Sequence, residues 1–151
     1  MNPTRLIRIR TLQQEDAAAV ARLAVELGYP ASEAVITPRI QRLLQHPDHS
    51  AFIATENHQP IGWLHLFINY PLESEPCAEI AGLVVTESHR GRGVGRQLLG
   101  AARQWAAERE LQSLRVRCQI RRRRAHHFYQ ANGFTELKTQ KVFILPLTRR
   151  R

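Results

Sequence analysis

The residues of this chain best suited to chemistry lie near its middle, in Arg90-Gly91-Arg92-Gly93-Val94-Gly95-Arg96. Glycines at alternate positions let other atoms approach the main chain closely, and the interleaved arginines add positive charge. Such a segment suits an anion when it opens a helix, because the first amides of a helix are unpaired and sit at the positive end of its dipole. A pyrophosphate fits that description. The spacing excludes two other phosphate loops: a G-x-G-x-x-G fingerprint starting at Gly91 would need glycine where Arg96 stands, and no P-loop lysine follows the glycines. The bland alternative is a glycine-rich turn whose arginines are merely solvated.

To hold an anion this way the loop must join a strand to a helix, and both neighbours are legible. Residues 78–85 form an almost continuous apolar run, the pattern of a strand covered on both faces. Gly82 interrupts it and marks a bulge or a close backbone approach. After the loop, Val94, Leu98, Leu99, Ala102, Trp105 and Ala106 share one helical face opposite Arg96, Gln97, Arg103, Gln104 and Glu108.

The rest of the chain supplies a frame for that pair. A strand over residues 5–10 leads to a helix over 13–27, with Thr11 and Gln14 as a capping box. Thr37 and Pro38 read as the cap and first position of a short second helix carrying Ile40, Leu43 and Leu44. Residues 51–56 and 61–70 read as a hairpin. A strand follows in which Leu114, Val116 and Cys118 alternate with Arg115, Arg117 and Gln119, then a helix from Ala125 to Asn132 stopped by Gly133. Residues 134–139 and 142–147 predict a closing hairpin. The order is βααβββαβαββ, an α/β architecture with a mixed sheet, expected as one domain over residues 1–148 with a basic tail at 149–151.

At 151 residues and 43% hydrophobic content the chain can build one sizeable core. Its formal charge of +9 is uneven. Residues 1–80 hold six arginines against nine carboxylates, whereas residues 81–151 hold 16 basic residues against four acidic ones. The second half is built for an anion; the first half suits a cationic amine on the side of the first two helices, around Glu26, Tyr29 and Glu33. The two cysteines, Cys77 and Cys118, have neither metal-ligand spacing nor the density of a disulfide scaffold, so no metal is expected and a reducing cytoplasm is the natural setting. No stretch approaches the roughly 20 apolar residues of a membrane span.

Two motifs in order connect these readings to a known family. Arg90, Gly93 and Gly95 match R/Q-x-x-G-x-G/A, and Ala125-His126-His127-Phe128-Tyr129 with Asn132-Gly133-Phe134 looks like an A-x-x-F/L-Y-x-x-x-G-F segment. In both, and in element order, the chain resembles the GNAT superfamily of acyl-CoA-dependent N-acyltransferases. It departs from many members at Arg122, where they carry an asparagine. Lys138-Thr139-Gln140 is similar to a subset of bacterial small-molecule acetyltransferases.

The resemblance implies a mostly antiparallel sheet flanked by helices, and acetyl-CoA as cosubstrate. It also implies transfer of an acetyl group to a primary amine: an amino sugar or aminoglycoside-like molecule, a polyamine, an amino acid or a protein. Residues 90–96 (Arg90, Gly91, Arg92, Gly93, Val94, Gly95, Arg96) would hold the pyrophosphate, and Leu83, Val84 and Val85 would offer main-chain groups to the pantetheine arm. Tyr129 would be the general acid, since a phenol of pKa ~10 keeps its proton at neutral pH and can pass it to a departing thiolate. Glu79, at the start of the central strand, is the choice for base, with His65 or His127 as alternatives. Arg121 to Arg124 would reach the nucleotide's 3′-phosphate or form a solvated face. Family members often dimerise, so a homodimer belongs to what the resemblance implies. The competing class is a basic nucleic-acid or ribosome-associated module, which lacks here any recognition helix, zinc spacing or aromatic-studded basic strand.

Overall fold

A computed structural model describes residues 6–148 of the chain. The expected strand start at Arg5 and the basic tail at 149–151 lie outside the described residues. The chain divides into two compact units, Met1–Arg117 and Cys118–Arg151.

The first unit holds a five-stranded sheet in the order β1 (Ile7–Thr11), β2 (His49–Glu56), β3 (Gln59–Asn69), β4 (Cys77–Val85), β5 (Leu114–Val116). The first four strands pair antiparallel, and β4 pairs parallel with β5. Two positive-φ residues, Asn57 and His58, turn β2 into β3, the geometry whose twist matches a tight hairpin. Pairing puts Trp63, His65 and Phe67 of β3 on one face, where α1 (Ala17–Leu27) and α2 (Glu33–Gln45) cover the sheet. Gly62, Leu64 and Leu66 point to the other face, where α3 (Val94–Glu108) packs. Leu64, Leu66, Leu98 and Leu99 are fully enclosed there, each such burial contributing about 1.5–3 kcal/mol.

The register holds one irregularity that positions the site. Leu66 pairs with Ile80 and His65 with Gly82, so Ala81 is an extra residue on β4. This is the bulge Gly82 announced. Pairing between β4 and β5 ends at Ile80 and Val116, just before it. A bulge bends and twists its strand, which explains why β5 stops at Val116 rather than running on through Cys118.

Two helix starts differ from expectation. The first helix opens as a 3-10 turn, Gln14–Asp16, before α1. The residue organising it is Asp16: its carboxylate accepts the Gln13 amide at 2.8 Å and both Arg10 nitrogens at 2.8 Å. An acid with a charged partner thus displaces the expected Thr11 cap. In α2 the cap is Ser32, whose hydroxyl accepts from the Val35 amide at 3.3 Å, and Pro38 lies inside the helix. Proline suits a first turn, but packing of Ile36 and Ile40 into the core carries the helix past it.

The second unit holds α4 (Arg123–Ala131), after which the chain turns at Gly133 in the left-handed region. The closing hairpin does not form: no strand is present over residues 134–148. Val142, Phe143, Ile144 and Leu145 are between 81% and 89% exposed. Their composition suits a strand, but a strand exists only against an edge, and this segment has no ladder partner among the described residues.

Candidate active site

The loop after β4 is held from both sides. The Glu87 amide donates to Glu26 Oε1 at 2.8 Å, and Arg90 Nε donates to the Val85 carbonyl at 3.1 Å. Buried Glu56 contacts His89 Nε2 at 2.9 Å and Arg92 at 4.0 Å. Gly91 and Gly93 have φ of 78° and 82°, a region that side chains with a Cβ rarely adopt. Gly93 is the cap of α3, and the helical ladder begins with the Gln97 amide on the Gly93 carbonyl at 3.0 Å. The amides of Val94, Gly95 and Arg96 therefore precede that ladder at the positive end of the dipole. Val94 points its side chain into the core while Arg92 and Arg96 are exposed beside these amides. A diphosphate fits this cradle.

Residues 83–85 (Leu83, Val84, Val85) pair with β3 on one side only, because β5 has ended. Their other edge is the kind of unpaired main chain that an amide-rich arm can use. Gly82 has a second reason to be glycine: a Cβ there would come within 2.8 Å of the Trp63 ring.

Glu79 is buried and on the sheet face shared by Phe67, its β3 partner. Arg117 Nε donates to its carboxylate at 3.1 Å, a contact that compensates the buried charge. His65 stands on the same face, and its Nε2 is 2.9 Å from His49 Nδ1. Burial, and then the neighbouring His49, push the His65 imidazole down to about 4, so it is neutral at pH 7. His49 is also lowered, by burial and then by His46, with Asp48 opposing.

Between this face and the helices α1 and α2 lies a cavity of about 520 Å³, within the roughly 300–1,000 Å³ typical of small-molecule sites. Its wall includes Tyr29, Arg39, Arg42, His46, His49, Trp63, His65 and, at the bulge, Ala81 and Gly82. The expectation of an acidic wall is corrected here. No carboxylate lines the cavity; Glu26 is instead drawn to the loop amide of Glu87 and to Arg90 at 3.9 Å. Trp63, His46, His49 and the arginine pair were not singled out in the sequence, because only the strand register and the helix docking bring them to one wall.

In the second unit Tyr129 packs edge-on against Phe128 and Phe134, at 5.2 and 5.3 Å between ring centres. Burial raises its phenol above the ordinary value, Cys118 adds to the rise and Arg122 opposes it. The group stays protonated at neutral pH. His127 is exposed on α4, as are Arg121, Arg122, Arg123 and Arg124, and Arg121 Nε donates to Gln119 Oε1 at 2.9 Å.

Comparison with known proteins gives a consistent picture. The acetyltransferase (GNAT) family model matches residues 9–134. An aminoglycoside N(6′)-acetyltransferase type 1 of Stenotrophomonas maltophilia is 26% identical over 144 residues, covering 92% of this chain and 93% of that protein. Among solved structures, the aminoglycoside N-acetyltransferase AAC(6′)-Iy in complex with CoA superposes with a TM-score of 0.87 at 21% identity, over 96% of this chain and 98% of that one. The 6′-N-acetyltransferase AAC(6′)-Ih of Acinetobacter baumannii gives 0.82 at 20% identity, over 95% and 100%. The structural likenesses establish the fold; the family match, running from β1 through the glycine loop to Phe134, establishes descent. The chain belongs to the acetyltransferase (GNAT) family, and is an acetyl-CoA-dependent N-acetyltransferase.

Proposed function

We propose that this enzyme acetylates the primary amine of a small molecule that enters the cavity beneath α1 and α2, and that residues 1–148 act as one catalytic domain. The observation that carries the reading is the strand–loop–helix passage in which Gly91 and Gly93 adopt left-handed conformations and expose the first amides of α3. Acetyl-CoA supplies a thioester-activated acetyl group. Arg90, Gly91, Arg92, Gly93, Val94, Gly95 and Arg96 bind its diphosphate, and the free edge of Leu83, Val84 and Val85 aligns its arm. Tyr129 keeps a proton for the leaving sulfur. A role as base falls to Glu79 or His65, and the geometry favours His65, which faces the cavity, whereas the Glu79 carboxylate is engaged by Arg117.

A small-molecule acceptor is supported by the size of the cavity and by the named activity of the relatives that cover the whole chain. The cytoplasm is the proposed location, resting on two unpaired cysteines. A homodimer belongs to the same reading: residues 142–145 leave apolar surface that strand pairing with a second copy would cover, and β5 has only one neighbour in the sheet. Light scattering should then give twice the chain mass, and a monomer at micromolar concentration would refute it.

The enzymatic reading is tested by thermal melting with acetyl-CoA followed by thiol release with candidate amines. A rise in melting temperature is expected from ligand binding to the folded state; no rise at millimolar acetyl-CoA would overturn it. Glu79→Gln and His65→Gln assign the base: the true base costs at least about a hundredfold in kcat, and the other costs far less.

A further inference from the structure

The cavity wall is informative about what it accepts, and the inference below rests on the acetyl-transfer reading above. Most of the wall is hydrocarbon, contributed chiefly by α1 and α2 together with Leu12, Ala51 and Trp63. Apart from the phenol of Tyr29, its ionisable groups are Arg39, Arg42, His46, His49 and His65, all of them bases, and none is balanced by a carboxylate on the wall. Arg39 and Arg42 lie on the exposed side of α2, three residues apart and so on one helical face, and neither forms an ion pair with any described residue. A separate observation concerns Trp63. Its indole Nε1–H is buried and has no hydrogen-bond partner, although buried polar groups are satisfied in the great majority of cases. The nitrogen itself is closed to solvent, so Trp63 meets the cavity with the hydrocarbon of its ring.

We infer that the acceptor is a monoamine with an apolar or aromatic body and one carboxylate, and not a polycation. The body lies in the hydrocarbon part of the cavity against Ile40 and Trp63. The carboxylate meets Arg39 and Arg42. The amine points toward Ala81 and Gly82, where the bulge of β4 borders residues 83–85. Polyamines and aminoglycosides carry several ammonium groups, each needing an anion or water; this wall offers repulsion from the arginines and apolar contact instead. The chemistry balances with the groups present. The new N–C bond forms as the C–S bond breaks. An ammonium substrate loses two protons: one ends on the sulfur, and the other goes to water.

The test is thiol release with acetyl-CoA against phenylalanine, 4-(aminomethyl)benzoate, the amides of both, spermidine and a 2-deoxystreptamine aminoglycoside. At least one of the two acids should exceed its own amide and both polycations by about tenfold or more in kcat/KM. The double substitution Arg39→Gln with Arg42→Gln should close the gap between acid and amide, which a general loss of structure would not do. A preference for spermidine or the aminoglycoside overturns the inference, as does an acid-to-amide ratio untouched by the arginine substitutions. If acetyl-CoA raises the melting temperature but neither acid is acetylated, the acceptor class is wrong while acetyl transfer stands. If acetyl-CoA produces no shift, the underlying reading fails and takes this one with it.

Discussion

The glycine loop after β4 and the cavity beneath α1 and α2, proposed to serve the two substrates of one reaction, are made of different material. The loop is main chain: two left-handed glycines and the first turn of a helix, all within a few residues. The cavity is side chain, with walls contributed by two helices and three strands. A grip made from backbone tolerates change in its side chains and fails when φ is altered. A wall made from side chains responds the other way: its chemistry changes with each substitution while its outline persists.

Substitutions can break or sharpen that contrast. The largest effect is expected from Tyr129→Phe, which removes one proton and leaves the grip alone: kcat should fall by about 10²–10⁴-fold, with the acetyl-CoA melting shift retained. Turnover within a few-fold of the parent would remove Tyr129 from the chemistry. Next comes the cavity's response to acid. The folded-state imidazole of His65 is pushed to about 4 from its ordinary 6.5. Between those values the unfolded chain takes up a proton that the folded chain refuses. Stability is therefore complete above pH 6.5 and declines as pH falls toward 4, by roughly 3 kcal/mol from this group. His49 shifts in the same sense. Urea titrations at pH 7 and pH 4.5 should show a smaller pH penalty in His65→Gln; equal penalties would refute the account.

Gly93→Val acts on the loop through backbone alone. The left-handed conformation costs a residue with a Cβ about 1–2 kcal/mol, so acetyl-CoA affinity should drop by about tenfold or more in calorimetry. Affinity left intact would show that the cradle does not depend on φ. The smallest effect provides the control. Gly100 lies on the exposed side of α3, and a Cβ there would meet nothing within 4 Å. Gly100→Ala should add about 0.8–1 kcal/mol to stability without altering acetyl-CoA binding. A loss of binding would mean that the cradle extends past the first turn of the helix.

Much of this layout was legible because it is local. The face of Leu98, Leu99, Ala102 and Trp105 announced α3, the apolar run with its interrupting glycine announced β4 and its bulge, and the order of elements through α4 is as expected. Errors came where distant groups overrule local preference. Pro38 read as a helix start, but Ile36 and Ile40 bury against the sheet and pull the helix back to Ser32. Residues 142–147 read as a strand, but no edge among the described residues receives them. The half-chain charge count suggested an acidic acceptor side, whereas no carboxylate among the described residues lines the cavity and Glu26 is turned to Glu87 and Arg90.

The sequence by itself determined where the glycine loop meets the start of α3, because glycine conformation and helix termini depend on neighbours only a few residues away. It also determined that the second half of the chain carries the positive charge. The tertiary structure alone decided which side chains line the cavity. His49, His65, Trp63, Arg39 and Gly82 become neighbours only through strand register and helix docking, and a one-residue change of register would turn each strand residue to the opposite face.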